Sequence, residues 1–150
     1  MLRETLQNAL KEAMKNRDVE TVNAVRLIIA GQKEKDVEAR GKGLEKASDS
    51  DLLSMMQSMI KQRNESIKIY IDGNRPDLAD KEKTEINVIS RFLPKQMNEE
   101  EITSVIKSLI KATNASSIKD MGKIMGALRS QYAGQMDFGV ASGIIKQLLS

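Results

Sequence analysis

Cysteine, histidine and tryptophan are all missing from this 150-residue chain. Without cysteine there is neither a disulfide nor a thiolate metal site. Without histidine the commonest general base and transition-metal ligand is gone as well. A nucleophilic mechanism would have to rest on serine or lysine. Ser142 and Lys146 lie four apart on one predicted helix, but no oxyanion-hole motif or glycine-rich nucleophile turn surrounds them. No GxxxxGK[ST] loop occurs, and GKGLEKAS lacks its ending and follows no predicted strand. No catalytic residue, metal site or cofactor is expected, and the chain is not read as an enzyme by itself.

Aromatics and prolines are scarce too. Tyr70, Phe92, Tyr132 and Phe138 are the four aromatics, and there are two prolines. Leucine, isoleucine, methionine and alanine must therefore build the core, and the long periodic runs predict an all-α fold. The first residues, MLRETLQNALKEAMKNRD, are amphipathic with no apolar signal region, and no later run is long enough to span a membrane. A cytoplasmic protein with no membrane partner is the expectation.

What the chain does have is helical periodicity with punctuation. Leu2, Leu6, Ala9, Leu10 and Ala13 mark a first helix, and Asp18 caps a second through Val19, Val22, Val25, Leu27, Ile28 and Ile29. The charged run QKEKDVEARGKG is expected to fray into a loop. Its Lys33, Lys35, Arg40 and Lys42 alternate with Glu34, Asp36 and Glu38, the pattern of a solvated face. Ser48 and Asp51 signal the start of a third helix, the longest, which carries Leu52, Met56, Met59, Arg63, Ile67 and Tyr70 near one line. Met55, Met56 and Met59 read as core, with an adaptable docking patch as the alternative. Arg63, close to the apolar stripe, requires a carboxylate, and Glu82 or Glu85 can supply it. Pro76 suits the first turn of a fourth helix that runs through Phe92 to Pro94. The organisation predicted is an N-terminal domain of about four helices over 1–94 and a C-terminal three-helix domain over 95–150.

In the second domain Asn98 caps a helix of Ile102, Val105, Ile106, Leu109 and Ile110. The stretch Ser117 to Ser150 follows as two helices and one turn. Ile118, Met121, Met125, Leu128 and Tyr132 line the first; Phe138, Ala141, Ile144, Ile145 and Leu148 line the second. Gly134 suits a left-handed helix end and Asp137 a cap. Gly126, Gly139 and Gly143 fall away from these stripes, among Lys119, Lys123 and Lys146. Glycine in an exposed helix interior costs about 1 kcal/mol relative to alanine. Packing against another helix, or a cheap first-turn position for Gly139, would account for such residues; so would close approach by a ligand or RNA. Charge adds to the contrast. Residues 1–93 hold 17 basic and 16 acidic side chains, whereas residues 102–150 hold 6 and 2, a net +4.

The run Met121-Gly122-Lys123-Ile124-Met125-Gly126-Ala127-Leu128, followed by Gly134, Asp137, Ser142 and Ile145-Lys146, resembles the tail signature of the GatB/YqeY family. Arg63-Asn64-Glu65-Ser66-Ile67, Arg75-Pro76-Asp77-Leu78-Ala79 with Glu82 and Glu85, and Phe92-Leu93-Pro94 are similar to its other blocks, in the same order. The resemblance covers nearly the whole chain. It implies kinship with the tail domain of the B subunit of the glutamine-dependent aminoacyl-tRNA amidotransferase, where that tail helps to hold tRNA. The amide-transfer chemistry belongs to parts with no counterpart here.

The expectation is a non-catalytic accessory protein that binds tRNA or another structured RNA through the tail. Residues Gly122, Lys123, Gly126, Gly143 and Lys146 are carried by the resemblance, and Lys119 and Arg129 are added by helix geometry. Four scattered aromatics make no stacking platform, so recognition would be of shape and phosphate. The alternatives are a protein-interaction module docking on a synthetase, amidotransferase or other translation-related partner, and a component of a carbon–nitrogen ligase (amidotransferase) system.

Overall fold

The computed structural model describes all residues 1–150 and contains seven α-helices and no strand. Two compact units divide it, Met1–Leu93 and Pro94–Ser150. No helix is long and apolar enough to cross a membrane.

The first unit holds α1 (Leu2–Lys15), α2 (Val19–Gly41), α3 (Asp49–Asp72) and α4 (Pro76–Ser90). Leu6, Val25, Ile28, Leu52, Met56, Val88 and Ile89 form its buried centre. Helix α1 ends in a tight reversal in which Arg17 adopts φ +55° and the Asp18 N–H donates to the Ala13 carbonyl. Asp18 then caps α2 by accepting from the Thr21 N–H and hydroxyl. Ser48 and Asp51 form the expected capping box, and the helix they start is the longest, at 24 residues. Helix α4 ends at Ser90, sooner than read from Pro94, and Phe92 and Leu93 turn back onto the core.

The charged run after Ile29 is helical to Gly41, which corrects the expected loop. The reason is that its charges are not equivalent. Asp36 points inward and is buried. Its Oδ2 accepts from Arg3 Nη1 (2.8 Å), and its Oδ1 accepts from Arg3 Nη2 (2.7 Å) and from the Ala47 N–H (2.9 Å). Arg3 Nη2 also donates to the Ala47 carbonyl at 2.8 Å. One carboxylate thus fixes the start of α1, the second half of α2 and the segment before α3. Ala39, on the same face, enters the core, while Lys35 pairs with Glu38.

Arg63 finds the carboxylates expected of it. Its Nε donates to Glu85 Oε2 at 2.9 Å and lies 3.9 Å from Glu82 Oε2, while Nη1 donates to the Met59 carbonyl. The methionines are core: Met56 is fully buried, Met55 nearly so, and Met59 packs against them. A Cβ on Gly31 would lie 2.7 Å from Met55 Sδ, so the glycine lets α3 approach α2. A groove of about 790 Å³ opens beside this contact, walled by Leu27, Ala30, Leu44 and Met59 among others.

The second unit holds α5 (Glu99–Thr113), a 3₁₀ turn (Ile118–Asp120), α6 (Met121–Gln131) and α7 (Phe138–Leu149). Ile102, Ile106, Ile124, Leu128, Met136 and Ile145 are its buried centre. The incoming segment is tied down twice, the Met97 N–H donating to the Gln135 carbonyl and the Gln96 amide to the Gly134 carbonyl.

The Arg3 guanidinium, followed by the Ala47 N–H, holds the Asp36 carboxyl well below the usual carboxylate range against some desolvation. A carboxylate with a depressed pKa contributes stability above its unfolded-state pKa and loses it as the pH falls toward its folded value. Asp36→Asn should therefore lower the thermal midpoint most at neutral pH, the gap to wild type closing as the pH drops below about 4. Thermal unfolding followed by circular dichroism across pH checks this. A gap independent of pH would contradict it.

Candidate nucleic-acid interface

Burial sorts the residues of α6 into two faces. Ile124, Met125 and Leu128 are buried; Gly122, Lys123, Gly126, Arg129 and Ser130 are exposed. At 100° per residue Lys123, Gly126 and Ser130 lie opposite the buried stripe, with Gly122 and Arg129 on its flank. Lys119 is exposed in the 3₁₀ turn before α6. In α7 the buried Ala141, Ile144 and Ile145 leave Gly139, Gly143 and Lys146 on the outer side.

The turn chemistry follows the sequence reading. Gly134 has φ +77°, a conformation that L side chains rarely adopt, but it sits in the turn two residues past Tyr132, which caps the end of α6. Asp137 caps α7 by accepting from the N–H groups of Gly139 (2.8 Å) and Val140 (3.4 Å). At the start of the 3₁₀ turn the cap is the Asp120 carboxylate, which accepts from the N–H groups of Ser116 and Ser117. Ser116 foremost, then Ser117 and the nearby charge of Lys123, hold Asp120 below the usual carboxylate range despite some desolvation.

The glycines differ in kind. A Cβ on Gly139 would sit 3.0 Å from Asp137 Oδ1, so that glycine is explained by the cap. Nothing lies within 4 Å of the position a Cβ would take at Gly122, Gly126 or Gly143. Packing within this chain does not account for these three. Each leaves a strip of helix backbone bare on the outer face.

The cations differ in use between the units. All six ion pairs of the protein lie in the first, between Arg3 and Glu85. No lysine or arginine of residues 94–150 is in one. Lys119 and Lys146 are in no ion pair, Lys123 lies near the Asp120 carboxylate without pairing to it, and the Arg129 guanidinium lies 6.0 Å from the Phe138 ring centroid, where the ring face attracts it. Sequence reasoning passed over Lys107 and Lys111, which are exposed one turn apart on α5; their i, i+4 spacing was the available signal. It also left out a counterweight. Glu99, Glu100 and Glu101 fill the first turn of α5, so the unit as a whole holds 7 basic and 5 acidic residues.

The arrangement offers free ammonium groups beside bare backbone, which suits contact with phosphate and ribose. Tyr132 and Phe138 are half-buried against the core and offer no stacking surface. The match to known proteins agrees with the resemblance noted above: the model of the Yqey-like protein family covers residues 3–149. The chain belongs to the YqeY-like family.

Similar proteins include three fungal ones, each named "Altered inheritance of mitochondria protein 41, mitochondrial". That of Candida glabrata is 38% identical over 89 residues, which cover 59% of this chain and 48% of that protein. That of Lachancea thermotolerans is 33% identical over 124 residues, or 79% of this chain and 65% of that protein. That of Saccharomyces cerevisiae is 30% identical over 128 residues, or 82% of this chain and 68% of that protein. The chain therefore spans about half to two thirds of the length of these relatives.

Gly126 and Gly143 are interior to their helices and meet open space. Replacing either by alanine should raise unfolding stability by about 0.5–1 kcal/mol. Gly139→Ala should gain nothing, because its Cβ meets the capping carboxylate. Urea denaturation of the three single variants measures the difference; a loss of stability in Gly126→Ala or Gly143→Ala would mean that these backbones are already covered.

Proposed function

We propose that this protein binds structured RNA, tRNA being the candidate that the family resemblance supplies, through the outer face of α6 and α7, and that it acts without catalysis of its own. The observation that carries the reading is the coincidence, on one face of each helix, of unpaired lysines with glycines that no neighbour in the chain requires. Stabilising alanines would fit at Gly126 and Gly143, so a use for the bare backbone is the physical reason for glycine there. Phosphate oxygens can meet Lys119, Lys123 and Lys146, while the glycines admit the sugar–phosphate chain close to the helix. Arg129, held by Phe138, would present its remaining guanidinium edge at the margin.

The related amidotransferase tail supports tRNA as the ligand. Amide transfer and carbon–nitrogen ligation are not carried over, since nothing in the chain offers a nucleophile with a base. A protein-docking role through the methionines has a small surface to use, because Met56 is fully buried and only Met59 and the edge of Met55 reach the groove beside α3. The relatives' names place those proteins in the mitochondrion, which supports a mitochondrial setting over the cytoplasm first expected.

Fluorescence anisotropy with labelled total tRNA and a plain RNA duplex tests the reading across salt concentrations. Wild type should prefer tRNA and weaken with salt. The variant Lys119→Glu, Lys123→Glu, Lys146→Glu should stay folded and lose binding, while neutral replacement of one contacting lysine should reduce the salt slope by about 1. Gly126→Ala with Gly143→Ala should bind at least several-fold more weakly while being more stable. Equal binding of both RNAs that persists in the charge-reversed variant would refute the proposal.

A further inference from the structure

The helical course of α2 to Gly41 rearranges its charges in a way the linear order hides. Along the chain Lys33, Glu34, Lys35, Asp36, Glu38 and Arg40 mix both signs. On the helix they separate. Asp36 turns into the core to meet Arg3, and Lys35 pairs with Glu38. Glu34 and Glu38 fall on the edge facing the groove beside α3. What remains on the opposite edge is a row of one sign, Arg26, Lys33 and Arg40, seven residues apart and all exposed. None of the three is in an ion pair, although Arg40 feels the charge of Asp36. Between these cations, three and four residues from each neighbour, stand Ala30, on the rim of the groove, and Val37, both exposed, Val37 at 64%, with Glu34 one turn from each on the groove side.

Seven residues on an α-helix rise about 10.5 Å, so the row spans about 21 Å in two equal steps. A second α-helix laid alongside repeats that interval with its own residues seven apart. Carboxylates at one heptad position would meet Arg26, Lys33 and Arg40, and small apolar side chains at the position three or four away would cover Ala30 and Val37. Regular spacing with apolar residues set between the charges fits a helix better than a nucleic-acid backbone, which gains nothing from Val37.

The geometry points to the α2 ridge Arg26–Lys33–Arg40, with Ala30 and Val37, as a docking surface for an acidic amphipathic helix of a partner protein. It is independent of the RNA face on α6 and α7, and each can fail alone. Binding here is side by side along α2. Its affinity rests on long-range charge attraction to orient the partner and on the apolar positions to fix register.

The probe is a labelled three-heptad helical peptide with glutamate at one core heptad position and alanine or valine at the other. A control peptide has glutamine for every glutamate. Anisotropy is read with the whole protein. Wild type should bind the acidic peptide and not the control, more weakly as salt is raised. Arg26→Gln, Lys33→Gln, Arg40→Gln should weaken binding about tenfold or more, and Val37→Ser should weaken it severalfold without any change in charge. The tail variant with Lys119, Lys123 and Lys146 replaced by glutamate should bind the peptide as wild type does. Circular dichroism confirms that each variant is folded. The proposal is overturned if the acidic peptide binds no better than the control, if binding is unchanged in the triple glutamine variant or in Val37→Ser, or if the triple variant loses RNA and not peptide.

Discussion

The Asp36 carboxylate is the point on which the first unit turns. A charge near the core must be matched in full, and it is matched by two guanidinium N–H groups and one backbone N–H from segments 33 and 11 residues away in sequence. Because Asp36 faces inward, α2 must remain helical through it, and the start of α1 and the approach to α3 are held to one place. The groove beside α3 and the cationic row on the far edge of α2 both follow from that commitment. Arg63, with Glu82 and Glu85, does the same for α3 and α4 by a second local solution.

The two units thus use charge differently. In the first, Arg3 and Arg63 are held by internal carboxylates, and three of the cations left over, Arg26, Lys33 and Arg40, form an ordered line. In the second, caps come from Asn98, Asp120 and Asp137, the core is apolar, and no lysine is in an ion pair. Free lysines beside side-chain-free backbone are a poor way to stabilise a helix. They are a reasonable way to let a polyanion come close.

How much of this was legible depended on the range of the interaction. Helix faces and caps were readable because periodicity and capping act within one or two turns: Ser48 with Asp51, Asp137 with α7 and the left-handed Gly134 all came from neighbouring residues. Arg63 was readable because a guanidinium on an apolar stripe has few chemical options. Asp36 was not, since nothing local distinguishes it from Glu34 or Glu38; only the arrival of Arg3 selects it. The loop expected there was wrong for that reason, while the solvated face read for those charges holds for all of them but Asp36. The glycines were ambiguous in sequence because an exposed glycine and a glycine under a neighbouring helix look alike. Space decided it, crowded at Gly31, capped at Gly139 and open at Gly122, Gly126 and Gly143.

RNA binding by the face of α6 and α7 requires those three open glycines to meet RNA. The nine glycines give a spectrum simple enough to follow singly when the protein is labelled with isotopic glycine alone. On titration with tRNA, the amide signals of Gly122, Gly126 and Gly143 should shift together and saturate, while those of Gly31, Gly41, Gly43 and Gly73 stay where they are. If the tail glycines stay fixed while RNA demonstrably binds, or the glycines of the first unit move instead, RNA is held elsewhere and the face formed by α6 and α7 is not its site.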